Sequence, residues 1–122
     1  MSQTIVLAAA TNAEGEILQK HFTSAGFDVY LAESEDATLD VLRQTPADLL
    51  MIEDAITLDG KLIVQTVRSD ARLSAVPILI VSREPTSEEI VEYLSAGADD
   101  VITPFQPRVI VARVRAILRR QK

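Results

Sequence analysis

The 122-residue chain has no cysteine and no tryptophan, one histidine (His21), four glycines and only 4% aromatic residues. Without thiols, disulfide scaffolds, thiolate metal sites and cysteine nucleophiles are excluded. A single histidine cannot build a multi-histidine metal centre. The glycines form no phosphate-cradling loop, and no G-x-S-x-G elbow occurs, so Ser82 and His21 do not read as a hydrolase pair. No apolar run reaches the roughly 18 residues that a membrane span needs. The amino-terminal Met1-Ser2-Gln3-Thr4 lacks the basic start of a secretory signal, which leaves a cytoplasmic location as the expectation.

What the chain does have is an ordinary globular composition, 48% hydrophobic and 25% charged. At this length that predicts one domain over residues 1–122 with its own core. The formal net charge of -6 argues against nucleic-acid binding by this domain. The charge is uneven, because Arg108, Arg113, Arg115, Arg119, Arg120 and Lys122 crowd the carboxyl end.

Short apolar runs alternate with helical patterns from end to end. Ile5 to Ala9 is continuously apolar, as suits a strand buried on both faces of a parallel sheet. Asn12 is placed to cap a helix reaching about Ser24, with Ile17, Leu18 and Phe22 at helical spacing and Gly26 as its stop. Phe27 to Ala32 predicts a second strand, and Ser34 caps a helix that Pro46 ends. Leu49 to Ile52 predicts a third strand, followed by Glu53-Asp54 and a loop closed by Asp59-Gly60. Residues 61–69 read as a helix, Ile78 to Val81 as a strand, and Thr86 or Ser87 as the cap of a helix stopping at Gly97. Val101-Ile102 is a short fifth strand. A last helix runs from Pro107 to Arg120, with Val109, Ile110, Val114, Ile117 and Leu118 as its core stripe. Five such repeats imply an α/β, doubly wound sheet with helices on both faces. In that architecture the functional crevice lies beyond the carboxyl ends of the strands, here Ala9-Ala10, Glu53-Asp54, Ser82-Arg83 and Thr103-Pro104.

Three segments carry a resemblance: Pro46-Ala47-Asp48-Leu49-Leu50-Met51-Ile52-Glu53, Ala96-Gly97-Ala98-Asp99-Asp100, and Pro104-Phe105 with the helix that follows. Together the pattern resembles the receiver domain of two-component response regulators over essentially the whole chain. The resemblance implies a flavodoxin-like (βα)5 fold with strand order 2-1-3-4-5. It also implies a pocket in which an acidic pair holds magnesium, an aspartate takes a phosphoryl group, and a hydroxyl and a lysine grip its oxygens.

Placed on this sequence, that pocket is degenerate. The acidic pair falls on Ala9 and Ala10, whose methyl groups offer magnesium no oxygen. The acceptor position falls on Glu53, one methylene too long for a geometry in which ångström errors are costly. Ser82 keeps the hydroxyl, Thr103 replaces the lysine, and the aromatic switch position falls on Val101. The expectation is an atypical, phosphorylation-independent receiver: not an enzyme, without metal or cofactor, working through a protein partner or a second copy.

The resemblance also implies a dimer or partner face on the fourth helix, fifth strand and fifth helix, formed by Glu92, Asp99, Asp100, Arg113, Arg115 and Arg119. An output domain after Lys122 remains open at this point. So do residual phosphorylation at Glu53, or at Asp54 after a one-residue strand slip, and a small-molecule site in a hollow left by Ala9, Ala10 and Val101. Glu53 itself reads either as a stand-in for phospho-aspartate bonded to Ser82 or as a solvated carboxylate.

Overall fold

A computed structural model describes residues 2–9, 13–54, 59–102 and 106–120. Five strands, β1 (Thr4–Ala8), β2 (Asp28–Ala32), β3 (Leu49–Glu53), β4 (Ile78–Val81) and β5 (Asp100–Ile102), alternate with five helices. The helices are α1 (Ala13–Ser24), α2 (Glu35–Gln44), α3 (Gly60–Ser69), α4 (Ser87–Ala96) and α5 (Pro107–Arg119). All strands are parallel in the order β2-β1-β3-β4-β5. Class, topology and helix count match the reading of the sequence.

The central strands are apolar on both sides, and the strand period of two sends alternate residues to two cores. Ile5, Leu7, Leu49, Met51, Leu79 and Val81 pack with Leu18 and Phe22 of α1 and with α5. Val6, Ala8, Leu50, Ile52, Ile78 and Ile80 pack with α2, α3 and Tyr93 of α4. This alternation also decides where the polar residues just past each strand end point.

Helix starts follow the sequence closely. Ser34 accepts from the Ala37 backbone N–H, and Asp59 accepts from that of Leu62, both at 3.0 Å. Thr86, not Ser87, caps α4 in a reciprocal capping box with Glu89. Gly97 ends α4 at φ 122°, and a Cβ there would meet the Arg68 side chain at 2.7 Å.

Val109 does not join the core as expected, and Ile17 is exposed as well. Ile17 is 41% and Val109 38% exposed, whereas Val111 is buried. Each of the two lies at the margin of its apolar stripe, where the helical period leaves the side chain on the rim. Asn12, Pro104, Phe105 and the loop 55–58 lie outside the described residues.

Candidate functional site

The carboxyl ends of β1, β3 and β4 meet at one edge of the sheet, and the site is built from what stands there. Register is fixed by Glu53 opposite Val81, with no slip. The backbone ladder continues one step, Asp54 N–H to Val81 O at 2.8 Å and Ser82 N–H to Ile102 O at 3.2 Å. Asp54 and Ser82 each stand one residue beyond that pair, so they leave the sheet on the same face, toward α3 and α4. Glu53 follows Leu49 and Met51 onto the opposite face, toward α1 and α5.

The two acidic neighbours therefore have different surroundings. Ser82 Oγ donates to Asp54 Oδ2 at 3.2 Å, and the Tyr93 hydroxyl donates to Asp54 Oδ1 at 3.1 Å. Burial first, then the charge of Asp54, hold the Tyr93 phenol above its ordinary range, so it stays a protonated donor. Glu53 is only 3% exposed. At its side of the edge Arg83 pairs with Glu14 in the first turn of α1. Glu14 is the main influence raising the Arg83 guanidinium above its usual value, and Glu53 adds to it.

These positions correct three expectations. Glu53 is not a solvated carboxylate, because β3 carries it into the packed interior before the strand ends. Nor does Ser82 serve it, since a hydroxyl has one proton and that of Ser82 goes to Asp54. Asp54 reaches Ser82 without any slip of β3, because equal steps past a paired position land on one face.

Of the positions implied to hold magnesium, Ala9 and Ala10 carry no oxygen or nitrogen side-chain donor. Ala9 is fully buried in the α1/α5 core and presents only a methyl group. Both oxygens of Asp54 already accept hydrogen bonds. Among the described residues no three acidic or histidine side chains converge as a metal site would require. Ala10 and Thr103 lie outside the described residues. Ala9 and Val101 do not border one hollow, because Ala9 belongs to one core and Val101 packs against the other. His21 is exposed in the last turn of α1, away from Ser82.

Most of the six residues read as a partner face also have partners within the chain. Asp99 accepts from Arg68 at 3.0 Å and from the Ile78 N–H at 2.7 Å, so it is occupied within the chain. Arg115 turns toward α1 and donates to the Ala25 carbonyl at 3.2 Å. Glu92 pairs with Lys61 of α3 at 3.1 Å. Only Arg113 and Asp100 face one another, at 3.9 Å, and Arg119 is exposed.

Sequence reasoning missed Arg68, which also donates to the carbonyls of Gly97, Ser74 and Val76 at 2.8, 2.9 and 2.6 Å. It also missed Tyr93. The signal available for Tyr93 was a large aromatic in a helix otherwise thin in core residues.

A five-stranded parallel sheet in this order, with a paired carboxylate and hydroxyl past β3 and β4, defines a doubly wound signalling domain of the receiver class. Residues 10–115 match the response regulator receiver domain, and the chain belongs to that family. It is 34% identical over 110 residues to the transcriptional regulatory protein BaeR of Escherichia coli O6:H1, a match covering 88% of this chain and 45% of that protein. The chain thus spans less than half the length of that curated relative.

Among solved structures it is similar to a putative response regulator from Chloroflexus aurantiacus J-10-fl, with TM-score 0.89 and 25% identity, covering 97% of this chain and 98% of that one. It is also similar to an orphan response regulator of H. pylori, with TM-score 0.81 and 26% identity, covering 96% and 97% of the two chains. No helix among the described residues is long and apolar enough to cross a membrane.

Proposed function

We propose that this receiver domain signals without phosphorylation, as a binding module whose pocket is filled by its own side chains. The observation that carries the reading is the hydrogen bond from Ser82 to Asp54 beside a buried Glu53. The hydroxyl that a receiver aims at an incoming phosphoryl group is already engaged. The nearest carboxylate on its own face is also shared with Tyr93. The alanine at position 9 supplies no metal ligand, so the charge of a phosphodonor would meet no bound cation there.

Binding then falls to the surface. Val109 on α5 is exposed and lines one surface hollow with Arg113, the partner of Asp100, while Val91 and Leu94 on α4 are also exposed apolar residues, a composition suited to a protein partner or a second copy. An output module on the same polypeptide, outside these 122 residues, belongs to the proposal. It is supported by the greater length of the curated relative and by that relative's description as a transcriptional regulator.

A second reading, phosphorylation at Asp54, is favoured by the Ser82 hydroxyl 3.2 Å from its carboxylate. Intact-mass analysis after incubation with magnesium and a small acyl phosphate separates the two. The proposal expects no covalent adduct. An adduct lost in Asp54→Asn but kept in Glu53→Gln would establish the second reading.

A further inference from the structure

We propose that Tyr93 is a positioning residue that fixes α4 against the sheet through the Asp54 carboxylate, giving α4 a single docked position without a phosphoryl group. The inference deepens the reading above and rests on it for the meaning of the α4 surface.

Little else holds the helix in the core. In α3 four residues are buried and in α5 five, but Tyr93 is the only fully buried residue of α4. The exposed Val91 and Leu94 contribute nothing to that anchorage. With Ala96 only at the rim of the same core, the docking of α4 depends largely on how firmly Tyr93 is held.

Tyr93 is held at several points. Its hydroxyl reaches Asp54 Oδ1 at 3.1 Å, and Asp54 Oδ2 is steadied by Ser82 at 3.2 Å. The ring runs beside the start of α3, where Gly60 leaves just enough room: a Cβ there would stand 2.8 Å from the phenol oxygen. Lys61 lies over the ring, 6.0 Å from its centre, and bridges to Glu92 on α4. The chain Ser82–Asp54–Tyr93 therefore links the ends of β4 and β3 to the middle of α4. An ionised carboxylate accepting from a phenol is among the stronger hydrogen bonds available to a partly buried site. In this chain Asp54 joins the ends of those strands to Tyr93, and Tyr93 ties them to the helix that carries the exposed apolar residues.

Residue-resolved native-state hydrogen exchange on the full chain tests the proposal, because it reads the opening of α4 separately from global unfolding. Tyr93→Phe removes the hydroxyl and keeps the ring. Amides of α4 are expected to lose about tenfold or more in protection, as for a hydrogen bond to a charged group, while those of β1, α1 and α5 are unchanged. Asp54→Asn should weaken the same amides, and the double variant should lose no more than the larger single loss. Unchanged α4 protection in Tyr93→Phe would overturn the proposal, as would equal losses in α1 and α5 or full additivity in the double variant. No phosphodonor is involved, so failure here is distinguishable from failure of the binding-module reading.

Discussion

Ser82 donates its hydroxyl proton to Asp54, 3.2 Å away, while Glu53, the residue read from the sequence as standing at the acceptor position, is turned to the other face of the sheet. One strand end thus presents two carboxylates to two environments, and only the one outside the expected acceptor position meets the hydroxyl. Replacing Ser82 with alanine should cost about 1 kcal/mol in urea-unfolding experiments, the loss of one partly exposed hydrogen bond. Glu53→Asp alone should not create a phosphorylatable site, because position 9 still offers no metal ligand. Intact-mass analysis with an acyl phosphate reads this directly.

Arg83 is expected to stabilise the fold partly through Glu53 and not only through Glu14. Arg83 stands past the end of β4, and Glu53 is among the acidic groups that raise its guanidinium, after Glu14. A double-mutant cycle with Arg83→Gln and Glu53→Gln should show that the arginine substitution costs less once Glu53 is neutral. The same cycle with Glu14→Gln separates the exposed ion pair. Coupling confined to Glu14 would leave Glu53 without this counter-charge.

Arg68 ties the amino end of β4 to the end of α4, donating to three carbonyls and to Asp99. Arg68→Ala should destabilise the domain by about 2 kcal/mol, since it strips partly buried acceptors of a charged donor. Arg68→Lys should recover only part of this, because an ammonium cannot span the same fork of acceptors. Chemical denaturation checks both, and an effect no larger than that of Arg119→Ala would contradict it.

How much of this was legible beforehand depends on distance along the chain. Strands, helix caps and the two-faced core follow from local pattern, as with Leu49 to Ile52 and the Thr86–Glu89 box. That Glu53-Asp54 and Ser82 stand at the carboxyl ends of β3 and β4 also followed from local pattern. Their partners did not. Whether Ser82 serves Glu53 or Asp54 depends on pairing between strands 28 residues apart in sequence, and only the register gives the parity. The intrachain partners of the residues read as a partner face were hidden for the same reason: Asp99 lies near Asp100 in sequence but is held by Arg68 from another helix, and Arg115 faces α1.

Alkaline pH should reveal the Tyr93 network. Its phenol is raised in the folded state, so folding favours the protonated form. The associated stability is fully present below the ordinary phenol value of about 10 and is lost as pH rises above it. Denaturation profiles in the alkaline range should therefore fall more steeply for the native chain than for Tyr93→Phe. Parallel profiles would contradict a buried phenol tied to Asp54.

The most direct test of the central claim is amide-resolved NMR of the domain titrated with magnesium and then with beryllofluoride. A pocket filled by its own side chains predicts no saturable shifts at Ala9, Glu53, Asp54 or Ser82, and none in α4. Saturable shifts at Ser82 that spread to Tyr93 and Val101 would contradict it and return this domain to a phosphorylation switch.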